Sequence, residues 1–226
     1  MFNIKKKLQL ILSIPKTLYF NLKVLPLKDA IKFPFIVYNN VKIGRIYKNV
    51  FYIDTKIHYN MVRFGEKSYD STPEYCKGLI DVAKNSKIVF KGEATFASGI
   101  NICTHDDATI EFGDNFYCNK NCVFESRKSI TIGDNVLIGW NVNIRDSDGK
   151  THVIFLDKKP KINKKEICIG NHVWICSFSH LLKGSIISDN SVVAYNSCVN
   201  KAFDSENVLI GGYPAKIIQE KIDWKR

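Results

Sequence analysis

Five histidines (His58, His105, His152, His172 and His180) and seven cysteines are the residues of this 226-residue chain best suited to move protons or attack a carbon centre. The cysteines (Cys76, Cys103, Cys118, Cys122, Cys168, Cys176 and Cys198) are odd in number and hold no CxxC pair. Cys118 and Cys122 lack His or Cys partners at zinc spacing. They read as reduced cytosolic thiols. Cys176 has no adjoining His and Asp to activate it as a nucleophile. His152 differs, because it stands in a polar segment that also carries Asp146 and Asp148. An imidazole titrating near neutrality can take the proton of a hydroxyl, otherwise a poor nucleophile, and such a step is worth about 10²–10⁴-fold in rate. The two aspartates either orient that ring or shape an Asx-rich turn. His172 sits in a Gly-Asn-His-Val corner and reads as structural, while His58 and His105 are most simply surface residues.

The elements that must position these residues announce themselves by an internal repeat. Aliphatic residues return every six positions through Ile169, Ile175, Leu181, Ile187, Val193 and Val199. Four residues after each come Val173, Ser179, Ser185, Ser191, Ser197 and Phe203, five of them small or β-branched. Ile132, Ile138 and Ile144 form an earlier run, and Phe112, Cys118 and Phe124 extend it upstream, with Phe90, Phe96 and Ile102 fitting less cleanly. Neither an isolated helix nor a hairpin returns to one face on a count of six. Three short strands and three corners per turn do, so the period predicts a triangular solenoid whose equivalent side chains stack along its axis. Gly133-Asp134-Asn135, Gly170-Asn171 and Asp189-Asn190 supply residues that tolerate the positive φ of such corners.

The expected division is a basic lead-in over 1–85, the solenoid over 86–203 with an extruded loop at 145–166, and a loop with a capping helix over 204–226. Short helices are expected near Phe2–Leu25, around Leu27 and near 73–84, with strands at Ile36–Ile46 and Val50–Tyr59. Apolar residues make up 45% of the chain, enough for a core, and no stretch approaches the ~20 apolar residues of a membrane-spanning helix. Pro15, Lys16 and the lack of a small-residue cleavage site argue against a secretory signal. The formal charge of +11 is concentrated, with residues 1–50 carrying ten Lys or Arg against Asp29 alone. Without an aromatic stacking surface or a helix-turn-helix pattern, that arm argues for an anionic membrane face or a phosphorylated substrate over nucleic acid, or for solvated lysines on a helix.

From Asn119 to Ile218 the segments NKNCVF, ITIGDNVLIGWNVNI, IGNHVWI, LLKGSIISDNSVVAYNSCVNK and NVLIGGYPAKII carry a family resemblance. The chain resembles the hexapeptide-repeat acyltransferases, within them the galactoside and maltose O-acetyltransferase branch and the related enzymes of capsule and O-antigen clusters. The resemblance implies an all-β-dominated, left-handed parallel β-helix with an N-terminal α/β lead-in and a C-terminal helix. It also implies a homotrimer with sites between copies, acetyl-CoA as donor, a carbohydrate hydroxyl as acceptor and no metal. His152 becomes the general base, two residues later in its loop than the family often places it, with Asp146 and Asp148 beside it. Asn121 would contact the acceptor, or is a corner asparagine. Glu125 and Arg127, standing where the branch has a carboxylate pair, imply a different acceptor pocket. The donor maps onto Trp174, Ser177, Ala194, Tyr195, Asn200, Lys201 and Lys216, with Cys176 and Tyr195 narrowing the groove. His180 is a second candidate base, and the spacing of His105, His172 and His180 does not resemble a three-histidine zinc site. The expected function is cytoplasmic O-acetylation of a surface-polysaccharide precursor, held near the membrane by the basic arm. N-acetylation of an amino sugar nucleotide, or a noncatalytic β-helical scaffold, are the alternatives.

Overall fold

A computed structural model describes residues 2–67, 76–105, 107–149, 151 and 153–225, with residues 2–7 as backbone only. Among these residues the strands form three sheets of nine, seven and seven strands, and, apart from the loop hairpin and the last strand, consecutive strands fall on successive sheets with parallel pairing. With those exceptions each strand pairs with the one three places on in the coil, which is the register of a three-sided solenoid. On the first face Cys118 lies over Phe96 and under Ile138, followed by Ile175 and Val193. The second face stacks Ile102, Phe124, Ile144, Leu181 and Val199, and the third stacks Phe112, Ile132, Ile169 and Ile187. The six aliphatics that set the hexad run are at most 3% exposed. Ser179, Ser185, Ser191 and Ser197 are also fully buried. Burial is tolerable because their hydroxyls bond the backbone, as Ser185 Oγ does to Val199 O at 2.9 Å.

The solenoid begins well before the expected position 86. Phe35–Val37, Val41–Ile43 and Phe51–Ile53 already form a coil, stacked under Val62–Glu66, Gly78–Asp81 and Lys87–Phe90. The described part of the helix expected near 73–84 is thus a strand, drawn into the second face by partners on both sides. The sixfold count fails there because turns are longer. Eighteen residues separate Ile169 from Ile187, but twenty separate Phe112 from Ile132 and twenty-two separate Phe96 from Cys118. Phenylalanine fills these longer coils, with Phe64 stacked on Phe96 at 5.2 Å and Phe90 on Phe112 at 5.3 Å, while Phe96 meets Phe112 edge-on at 5.0 Å. Such pairs add about 0.5–1.5 kcal/mol each beyond burial.

The two ends of the prism are finished differently. Helix α1 (Phe2–Val24) runs through Pro15 and plugs one end with Phe20, which is fully buried 5.5 Å from Phe35 and 5.0 Å from Phe51. Helix α2 (Leu27–Ala30) follows. The other end departs from expectation. Instead of a capping helix, Ala215–Glu220 is a strand that doubles back antiparallel on Val208–Gly212. An open sheet edge offers unpaired N–H and C=O groups that a strand can satisfy and a helix cannot. The expected loop leaves the coil after Asn143–Arg145 and re-enters at Ile167–Ile169, carrying a two-strand hairpin of Phe155–Leu156 and Lys159–Pro160.

Candidate active site

His152 lies outside the described residues. Its loop leaves the corner between the second and third faces, and that corner is where polar side chains gather. Asp146 is fully buried, and its carboxylate accepts from Ser126 Oγ (2.7 Å), Arg127 N (2.7 Å) and Lys128 N (2.8 Å). Its acceptor capacity is taken up in bracing the turn that carries Arg127. Asp148 pairs with Lys183 and receives no comparable set of backbone bonds, while its own N–H donates to Asn163 O at 2.9 Å. Both side chains thus tie the first end of the loop to the solenoid, and their backbone bonds to Asn163 and Lys165 hold its returning end beside it.

Glu125 lies one coil below Arg145 on the second face. It accepts from Arg145 Nη1 at 2.6 Å, lies 3.3 Å from His105 Nε2 and has Arg127 Nη2 at 3.9 Å. Arg127 also keeps Nε and Nη1 buried without a hydrogen-bond partner. His105 is therefore a member of this cluster, not the plain surface residue expected. The signal that could have brought it near is the coil length: Cys103, two residues before it, shares one outward column with Glu125 and Arg145 only when counted by 22 and then 20.

Asn121 stands elsewhere, at the corner between the first and second faces, where φ is +60° and its side-chain oxygen occupies the space a Cβ on Gly99 would need. That is the corner-asparagine reading. Asn141 and Asn196 hold the same positive φ in later coils, and Phe178 (φ +63°) takes the equivalent place between them. Around this corner lie four of the donor residues. Trp174 is outward on the first face and 37% exposed, and Tyr195 is 63% exposed with its ring 5.3 Å from Phe178. Ala194 donates its N–H to Ile210 O at 2.7 Å. Ser177 is buried, its hydroxyl accepting from Trp140 N at 3.1 Å. Cys176 is half-buried, and burial pushes its thiol up to about 11, away from the thiolate a nucleophile needs.

Asn200 and Lys201 are exposed beyond Cys198–Val199, at the second-to-third corner, with Lys201 Nζ 5.2 Å from the Phe203 ring. Lys216 is exposed on the returning strand opposite Gly211. The predicted donor residues are thus divided between two corners with the second face between them, and Asn121 is divided from Glu125 and Arg127 in the same way. His172 replaces asparagine in another corner ladder, 3.1 Å from Asn190 Oδ1, and stacks on Trp224 at 4.2 Å, which makes it structural. His180 projects outward between Asn143 and Cys198 on the second face. All seven cysteines are free, and no metal-holding group of three or more His, Cys, Asp or Glu occurs among the described residues.

No family model matches the chain. Galactoside O-acetyltransferase of Escherichia coli (strain K12) is 38% identical over 113 residues, covering 50% of this chain and 55% of that protein. Polysialic acid O-acetyltransferase of Escherichia coli O1:K1 / APEC is 34% identical over 152 residues, covering 66% of this chain and 42% of that protein. The chain spans about half the length of these curated relatives. Among solved structures, a crystallographically analysed polysialic acid O-acetyltransferase aligns with a TM-score of 0.54 at 24% identity, over 85% of this chain and 90% of that one, a likeness of fold. A hexapeptide-repeat-containing acetyltransferase of Vibrio cholerae O1 biovar eltor, complexed with acetyl coenzyme A, aligns with a TM-score of 0.42 at 29% identity, over 54% and 66%. The homologues of this chain are acetyltransferases of galactosides and of polysialic acid.

Proposed function

We propose that this protein is an O-acetyltransferase that moves acetyl from acetyl-CoA to a sugar hydroxyl of a surface-polysaccharide precursor, working in the cytoplasm as a homotrimer of left-handed β-helices. The observation that carries the reading is the division of the candidate residues between two corners of one prism. A neighbouring copy would set its first-to-second corner, with Trp174, Ala194 and Tyr195, against the loop and the Glu125–Arg127–Arg145 cluster of this one. The loop supports this arrangement: Val153, Ile154, Phe155 and Leu156 are 49–62% exposed in the single chain, an apolar arm that calls for a covering surface.

In the chemistry proposed, His152 accepts the proton of the acceptor hydroxyl as its oxygen attacks the thioester carbonyl. The carbon–sulfur bond then breaks, the coenzyme leaves as a thiolate that takes up a proton, and an acetyl ester remains on the sugar. Asp146 and Asp148 would serve by fixing the first end of the loop, and Lys201 and Lys216, both exposed, would meet coenzyme phosphates. Glu125 and Arg127 line the acceptor side, together with Asn121 of the neighbouring copy.

The test is acetyl transfer from acetyl-CoA to polysaccharide fragments. His152→Ala is expected to lower kcat by about 10²–10⁴-fold without moving the melting temperature. Turnover that survives this change, or product that resists hydroxylamine as an amide does, would refute the base or the O-acetyl product respectively.

A further inference from the structure

Helix α1 is apolar on the side facing away from the protein. Ser13, Thr17, Phe20, Asn21 and Val24 are buried against the first coil. On the opposite side of a 3.6-residue helix stand Leu8, Ile11, Leu12, Leu18, Tyr19 and Leu22, between 41% and 59% exposed, with no acidic residue anywhere in the helix. A solvated helix places charge on its outer face. This one places leucine and isoleucine there, and α2 with the turn after it continues the surface with Leu27 (68% exposed) and Ile31 (63%). A groove lined by Leu10, Ile11, Ile14, Phe33 and Tyr59 adjoins the stripe. Lys23, Lys28, Lys32, Lys42 and Lys48 are exposed, within a segment whose ten basic residues stand against a single aspartate, Asp29. No helix among the described residues is long and apolar enough to cross a membrane.

We propose that this end of the prism docks on an anionic lipid bilayer, with α1 lying in the plane of the interface, its outer side chains among the acyl chains and the surrounding lysines at the phosphate headgroups. Charge complementarity selects this occupant, because an apolar stripe in a segment of ten basic residues, whose single carboxylate, Asp29, is paired with Lys32, matches an anionic interface. The helix is held rigidly for that purpose: Thr17 and Asn21 bond the backbone of the first strand, so the apolar face cannot roll inward. The inference goes beyond acetyl transfer, and its readout does not involve that activity.

The test sediments the full-length chain with vesicles of phosphatidylcholine alone and of phosphatidylcholine mixed with phosphatidylglycerol. Partition into the mixed vesicles is expected to be at least about tenfold greater and to fall as salt rises. The pair Ile11→Asp and Leu18→Asp, both on exposed positions, is expected to reduce it at least about tenfold with an unchanged melting curve. The pair Lys23→Glu and Lys28→Glu is expected to abolish the preference for anionic vesicles, and it carries the test if the aspartate pair does not fold. Equal partition into both vesicles, no partition, or partition indifferent to both pairs would overturn the proposal. So would vesicle-free wild type whose sedimenting particle shrinks with the aspartate pair, which would assign the face to a second copy.

Discussion

Asp146 illustrates how a carboxylate that reads as chemistry can belong to architecture. Its three accepted bonds come from residues 126–128, and leaving those donors unpaired in a buried setting costs about 1–3 kcal/mol per group. Cys176 poses the converse question, since it borders the proposed donor groove yet carries a thiol whose ionisation burial opposes. With the thiol raised to about 11, the thiolate fraction at neutral pH is roughly a hundredfold below that of a free cysteine, and it grows as pH rises toward that value. Iodoacetamide labelling at Cys176, read by mass spectrometry, is accordingly expected to run roughly a hundredfold slower in the folded chain than in the denatured one. Cys176→Ala is expected to retain acetyl transfer, and a variant devoid of transfer would implicate the sulfur. The identities of these residues were legible in the sequence. Their environments were not, because both depend on which strand lies one coil above or below.

At the scale of elements, α1 does more than fill the end of the prism. Asn21 donates to Phe35 O at 2.7 Å and accepts from Phe35 N at 3.2 Å, Thr17 Oγ1 accepts from Val37 N at 3.0 Å, and Ser13 Oγ accepts from Asn39 N at 3.1 Å. Spaced by four, these side chains form one stripe that satisfies an edge strand which would otherwise recruit foreign strands. Asn21→Leu leaves both groups of Phe35 unpaired in a buried setting, a loss of about 2–5 kcal/mol. The expected consequence is a melting temperature lower by about 10 °C in a circular-dichroism melt, and an unshifted melt would refute the strap. The Ser13, Thr17 and Asn21 spacing was visible in the sequence, as was the apolar stripe of the same helix. That the polar residues face inward was not, since ordinary amphipathic logic puts them in water.

At the scale of the whole molecule, the uncovered loop hairpin and the divided corners give one expectation. Sedimentation velocity should report a particle of three chains, and Phe155→Asp with Ile154→Asp should shift it toward the single chain while lowering acetyl transfer at least about tenfold. A monomer fully active in the native sequence would remove the need for a neighbouring copy and with it the proposed site.

The amino-acid sequence alone determined the three-sided winding from Ile132 onward, because inward side chains stacked one coil apart must recur at multiples of the strand-and-corner unit. It determined the protruding loop too, since a polar insertion with Pro160 cannot be accommodated in a coil. Only the tertiary structure decided where the solenoid begins, because corners lengthened by a few residues erase the period while leaving the stacking intact. It alone decided that the tail returns as a strand, a choice driven by hydrogen-bond partners distant in sequence. And it alone decided that Asn121 and Arg127, six residues apart, occupy different corners, because one short strand is enough to carry the chain from one edge of a triangular prism to the next.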